Sequence, residues 1–153
     1  GIENASGAFL NLTTNTDQGI MWRAVLEAIG YDYIYVADMY RNAGCNLDRI
    51  VVTEGGSKSS LWNQIKADML GSEVVTLENV EGAVLSDAIL AAYAVGDIHD
   101  LKKALLDVVK VKKVYTPNKE NTKFYREMFK IQQQIIRNDM KSVFNQLEKM
   151  RSL

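Results

Sequence analysis

Between Arg49 and Leu77 the order of residue types leaves the chain little freedom. Arg49-Ile50-Val51-Val52-Thr53 is a short β-branched run between turn signals, so it reads as a buried strand. Glu54-Gly55-Gly56 ends it. Ser57, Ser59 or Ser60 then offers a hydroxyl cap for a helix with Leu61, Ile65 and Met69 on one face and Trp62 beside them, and Gly71 closes that helix. Glu73-Val74-Val75-Thr76-Leu77 follows after a short turn as a second strand beside the first. A strand, one helix and a neighbouring strand make a right-handed parallel crossover, so the centre of the chain is α/β.

The flanks are helical. Asp17 or Thr16 caps a helix that carries Ile20, Met21, Ala24, Val25, Ala28 and Ile29 at three-and-four spacing and runs through Tyr40 to a stop at Gly44. Residues 82–95 are rich in alanine, which lets a helix approach its neighbours closely, and a further helix carries Leu101, Ala104, Leu105 and Val108. His99 lies in the turn between them and reads as a solvated residue. Pro117 breaks the helical pattern. Residues 119–150 then repeat Phe124, Met128, Ile131 and Ile135, then Ile136, Met140, Val143, Leu147 and Met150, on one wide stripe, as a single packing helix would. Many helices and few strands predict an α/β fold with a helical excess and an incomplete sheet.

Composition narrows the partners. Eighteen basic against nineteen acidic side chains leave a net charge of -1, which gives no bulk field for nucleic acid or anionic lipid. No apolar run approaches the twenty or so residues that cross a bilayer. A single cysteine, Cys45, forms no intrachain disulfide and no cysteine-rich zinc cage, which points to a reducing, cytoplasmic setting. The sequon at Asn11-Leu12-Thr13 reads as a chance match. A start at Gly1 with no initiator methionine suggests a truncated or processed chain.

The Gly55-Gly56 turn is the most informative local feature. Two glycines after a strand permit positive φ and expose bare backbone to a flat ligand, while the following helix offers unpaired amides to a phosphate or ribose oxygen. The same pair also serves many folds as a simple tight turn. The P-loop pattern fails here, because Lys58 does not follow a glycine directly and Val51 stands where the first glycine belongs. One histidine and one cysteine build no nitrogen or sulfur metal shell, although Mg held partly by phosphates is compatible with the chain. Glu27, Asp32, Glu54, Asp68 and Asp87 have no recognisable nucleophile or acid beside them in sequence, so each reads as structural rather than as a general base.

Three stretches together resemble the FGGY family of carbohydrate kinases. Gly7-Ala8-Phe9-Leu10-Asn11-Leu12 with Trp22-Arg23-Ala24-Val25-Leu26-Glu27-Ala28-Ile29 is similar to the family's second signature, in which a glycine-rich strand precedes a helix. The run from Thr53-Glu54-Gly55-Gly56 through Leu61-Trp62-Asn63-Gln64-Ile65-Lys66-Ala67-Asp68 to Gly71 is similar to its adenosine segment. Residues 81–96 resemble the alanine-rich helix behind that site, and Tyr115-Thr116-Pro117 with Tyr125 resembles the family's C-terminus.

The resemblance implies an actin-like, ribonuclease-H-like ATPase lobe spanning residues 1–153, with residues 119–150 as its long C-terminal helix. By it, Gly55, Gly56 and Ser60 line the adenine pocket, and Ala28 and Asp32 face the nucleotide from the first helix. The cofactors implied are ATP and Mg. The reaction implied is transfer of the γ-phosphoryl group to a sugar or polyol hydroxyl, with the catalytic aspartate on an N-terminal lobe absent here, so no catalytic residue is expected in this chain and the fragment alone is expected to be inactive. Xylulose, gluconate, ribulose and glycerol kinases share the pattern, so the sugar stays unnamed and a homodimer stays open. Asn11, Ile20 and Ser86 depart from the family's usual residues. The competing readings are an actin-like scaffold that has lost ATP, and another ATPase lobe of the same superfold.

Overall fold

The computed structural model describes residues 4–78 and 82–151. In chain order these form α1 (Gln18–Asn42), β1 (Arg49–Val52), a 3-10 turn (Gly55–Ser57), α2 (Ser60–Leu70) and β2 (Glu73–Leu77). They continue with α3 (Gly82–Ala94), α4 (Leu101–Val108), β3 (Val111–Tyr115), α5 (Lys119–Gln134), a π-helical turn (Ile135–Asp139) and α6 (Lys141–Arg151). Glu81, which opens the alanine-rich stretch, lies outside the described residues.

The three strands pair in the order β1-β2-β3. β1 and β2 run parallel with Ile50 opposite Val74 and Val52 opposite Thr76, as the helix between them requires. β3 is antiparallel to β2, with Tyr115 opposite Val74, and the register shifts between Thr76 and Leu77. This third strand corrects the sequence reading, which treated the stretch before Pro117 only as a helix breaker. Its Val-Lys-Lys-Val-Tyr alternates weakly and exposes four of its five residues, as an edge strand does. Lys112 and Lys113 on such an edge oppose pairing with another chain. β1 is also an edge, with Val51 exposed, rather than a buried strand.

Helix α2 is the axis of the core. Ile65 and Met69 pack with Ile34 of α1, Trp62 and Tyr125 of α5, backed by Leu26, Tyr31 and Phe129. Ala67 faces the sheet at Val74 and Tyr115. Leu61, expected on the apolar face, is exposed, because the face that packs is the one shared by Trp62, Ile65 and Met69. Ser59 is the residue that caps α2, accepting from the Trp62 amide, and Gly71 closes it at φ 62, a left-handed turn that favours glycine. Arg41 finishes the same end by donating to Leu70 O at 2.7 Å and to Ser72 Oγ at 2.9 Å.

The long helices depart from expectation in two ways. The buried positions of α1 are Gly30, Ile34 and Ala37, while Ile20, Ala24, Ala28 and Ile29 are exposed. The sequence stripe included them because they are apolar or small, but nothing among the described residues covers that side. Residues 119–151 are not one helix. The π turn separates α5 from α6, and within it the Arg137 guanidinium lies 5.4 Å from the centre of the Tyr35 ring of α1.

Asp68, only 5% exposed, has no cation beside it among the described contacts. Its Oδ1 accepts from Gln64 Nε2 and from the Asn118 amide, each at 2.8 Å, and its Oδ2 accepts from Asn121 Nδ2 at 2.8 Å. Asn118 in turn caps α5. A buried carboxylate satisfied this way joins α2 to the start of α5. Asp68→Ala leaves those donors without an acceptor and is expected to cost about 3 kcal/mol in urea unfolding, against about 0.5 kcal/mol or less for the exposed Asp87→Ala. Gly30 leaves room for Met69 of α2, since a Cβ there would run into its thioether. Gly30→Ala is expected to lower stability by about 1–3 kcal/mol in the same measurement.

Candidate functional site

The Gly-Gly turn sits at the C-terminal end of β1 and the N-terminal end of α2. Its backbone differs from the expected one. The left-handed residue is Glu54, at φ 60 and ψ -161, and neither Gly55 nor Gly56 has positive φ. That conformation is costly for a residue with a Cβ, and it persists because the bonds around it leave no alternative.

Those bonds run through the carbonyls. Glu54 O accepts from the Ser57 amide at 3.0 Å and from Ser57 Oγ at 2.7 Å. Gly55 O accepts from the Lys58 amide at 3.3 Å. Gly56 O accepts from Lys66 Nζ at 2.9 Å, and Ser57 O from Asn63 Nδ2 at 2.7 Å. In a trans peptide the carbonyl and the next amide point in opposite directions. Tying the Glu54 and Gly55 carbonyls into the turn therefore aims the Gly55 and Gly56 amides away from it, and both glycines are exposed. A Cβ on Gly55 would meet nothing within 4 Å, so bare backbone here is accessible rather than sterically required.

Ser60 is exposed in the first turn of α2, where its Oγ accepts from the Tyr115 hydroxyl at 3.2 Å. The third strand, missed in the sequence, thus buttresses a predicted site residue. Ala28 and Asp32 lie one turn apart on α1, both exposed. The Tyr33 ring stacks on Trp62 with centres 5.9 Å apart, so this part of α1 runs beside the start of α2.

A cavity of about 660 Å³ opens between α1, β1 and α2, lined among others by Tyr33, Tyr40, Ile50, Trp62, Lys66 and Gly56. Its volume falls in the range of small-molecule pockets. Gly56 alone of the predicted site residues reaches it. Asp32 is next to the lining residue Tyr33 in sequence and so points roughly 100° away around the helix, with Ala28 further round. Two readings of the site follow: the exposed side bearing Ala28, Asp32 and the turn amides, and the apolar cavity behind it.

Lys66 and Asn63 were not singled out in the sequence, although Lys66 stands three residues after Asn63 and four after Trp62, a spacing that brings it beside both on one helix. Asn63 is fully buried and Lys66 nearly so. Lys66 Nζ also donates to Asn63 Oδ1 at 3.2 Å and stands 5.0 Å from the centre of the Trp62 ring. Burial pushes its amine down to about 8. Several carboxylates considered as bases are otherwise engaged. Glu27 accepts from Arg23 and from the Tyr125 hydroxyl, and Asp68 is committed as described above. His99 is exposed, and the described residues hold no group of three or more His, Cys, Asp or Glu that could bind a metal ion. Mg therefore finds no protein cage among them. No described helix is long and apolar enough to cross a membrane.

Comparison with known proteins places this geometry. The model of the FGGY family of carbohydrate kinases, C-terminal domain, matches residues 2–95. Xylulose kinase of Staphylococcus epidermidis is 30% identical over 129 residues, which cover 84% of this chain and 26% of that protein. Glycerol kinase of Clostridium beijerinckii is 36% identical over 115 residues, covering 74% of this chain and 23% of that protein. Among solved structures, ligand-bound xylulose kinase from Lactobacillus acidophilus aligns with a TM-score of 0.77 at 27% identity, over 94% of this chain and 29% of that one. The chain spans about a quarter of the length of the curated relatives it matches. One departure from the family pattern also gains a reason: Asn11 stands at φ 59, a left-handed position natural to glycine that asparagine tolerates better than most residues. The fold is the helix-rich, actin-like ATPase type with a small sheet, and the chain belongs to the FGGY family of carbohydrate kinases, whose C-terminal domain it matches.

Proposed function

We propose that this chain is the ATP-holding domain of an enzyme that transfers the γ-phosphoryl group of ATP to a hydroxyl of a sugar or polyol. The observation that carries the reading is the turn at residues 54–57. Its carbonyls are bonded, while the Gly55 and Gly56 amides face outward beside the N-terminus of α2, where donors and the helix dipole favour an electron-rich ribose or phosphate oxygen. The adenosine lies across Gly55, Gly56 and Ser60, with Ala28 and Asp32 opposite on α1.

Phosphoryl transfer depends mainly on positioning and charge stabilisation, so placing the nucleotide is itself a catalytic contribution. ATP in this family is commonly used with Mg, which would be held largely by the phosphates, since the described residues offer no group of three or more His, Cys, Asp or Glu for it. No proton transfer is assigned to this chain. The acceptor sugar and the base belong to the remainder of the kinase, and the setting is cytoplasmic.

The exposed apolar side chains of α1, among them Trp22, Val36, Met39 and Tyr40, favour a second reading as an interaction module without ATP. Nucleotide titration separates the two. On the kinase reading the 153-residue chain binds ATP, forms no sugar-dependent ADP by itself, and loses roughly tenfold or more in affinity with Gly56→Trp. A chain that binds no nucleotide supports the scaffold, and sugar-dependent turnover by the chain alone overturns the division of labour. Ala28→Trp is expected to weaken ATP binding while Tyr40→Arg leaves it unchanged. The reverse pattern in that calorimetric comparison moves the nucleotide into the apolar cavity.

A further inference from the structure

We propose that Lys66 is a positioning residue of this site, whose ammonium grips the Gly56 carbonyl from beneath and thereby sets the direction of the amides that the turn presents. The proposal rests on the nucleotide reading for its functional consequence, but the grip itself is a property of the turn.

Two peptide planes transmit the grip. Lys66 Nζ bonds Gly56 O, and the same plane carries the Ser57 amide, which donates to Glu54 O. The Glu54 plane in turn carries the Gly55 amide, which is left facing out. One buried ammonium therefore fixes, through two planes, a donor on the ligand side. The same grip helps hold Glu54 at φ 60. Asn63 braces the assembly, accepting from Lys66 at 3.2 Å while donating to Ser57 O at 2.7 Å.

Packing alone does not call for lysine at this position. A methionine fills similar volume without desolvating a charge, and burying an ammonium whose partners among the described residues are neutral oxygens and an indole ring is costly. The cost is matched to a function when the charge lies beneath a turn whose outward amides receive electron-rich atoms of a nucleotide. The acidic groups of the surrounding elements are engaged elsewhere: Asp68 with Gln64, Asn118 and Asn121, Asp38 of α1 with Arg126, and Glu73 of β2 with Arg49. Tyr115 of β3 donates to Ser60. Glu54 and Lys58 in the turn are exposed, and the titratable side chains that share the cavity with Lys66 are Tyr33 and Tyr40 of α1.

Burial brings the Lys66 amine down to about 8 from 10.5, so its charge is lost between pH 7 and 9. The sign for stability is opposite to the sign expected for binding. From about pH 8 to 10.5 the unfolded chain holds the extra proton, so this group makes the fold more stable as pH rises. Weakened ATP binding over pH 7.5–9 is then not a result of Lys66 driving unfolding.

The test compares the wild-type chain with Lys66→Met by ATP titration between pH 7.5 and 9, together with amide hydrogen exchange at Ser57 at matched pH. Expected are about tenfold weaker binding by the variant at pH 7.5, a wild-type advantage that shrinks by pH 9, and faster Ser57 exchange in the variant. The wild-type pH profile and its Ser57 exchange need no variant, so they remain decisive if Lys66→Met does not fold. Equal affinities with parallel pH profiles and unchanged exchange overturn the proposal. A wild-type chain that binds no ATP overturns the nucleotide reading instead, and Ser57 exchange then decides whether the grip exists.

Discussion

The burial of α2 on nearly every side is the constraint on which the rest of the structure depends. A helix of eleven residues presents Ile65 and Met69 to two other helices, Ala67 to the sheet, and three polar side chains, Asn63 and Lys66 on one side and Asp68 on another, to backbone that would otherwise go unpaired. These three organise both ends of the helix. Asn63 and Lys66 hold the turn at the start of the helix, and Asp68 holds the start of α5. Buried polar groups are tolerable only when each finds a partner, and here the partners are the loops whose shapes matter.

The parts of this plan that were legible in the sequence are those written in local signals. The parallel β1-α2-β2 unit followed from two β-branched runs with one helix between them, and Ser59 and Gly71 mark its caps in their residue types. β3 was not legible in the same way. Val-Lys-Lys-Val-Tyr carries too weak an alternation to announce a strand, and only its pairing with β2 makes it one. The break at Ile135–Asp139 was also hidden, because a π turn adds a residue without interrupting the apolar stripe. For α1 the stripe misled: apolar residues spaced for burial are exposed along much of the helix.

At the site, sequence found the turn but assigned its strain to the wrong residue. Two adjacent glycines suggest positive φ, yet that conformation falls on Glu54, whose own carbonyl is held by the Ser57 amide and hydroxyl. The supporting side chains were invisible for a different reason. Lys66 and Asn63 occupy polar positions that a helical pattern assigns to solvent, and their burial becomes apparent only when the turn folds back over them. Tyr115 reaches Ser60 across fifty-five positions of chain, a separation that no local motif encodes.

That separation bears on the order in which the domain is completed during synthesis. Asp68 is satisfied by Asn118 and Asn121, 50 and 53 positions downstream, and Tyr125 closes the apolar side of the same helix. Until α5 has left the ribosome, α2 therefore has an uncovered apolar face and a carboxylate matched within the helix by Gln64 alone, however early its caps form. Closing so long a loop is a slow, entropically opposed step, and it makes α5 the element that commits the nascent domain to its final packing.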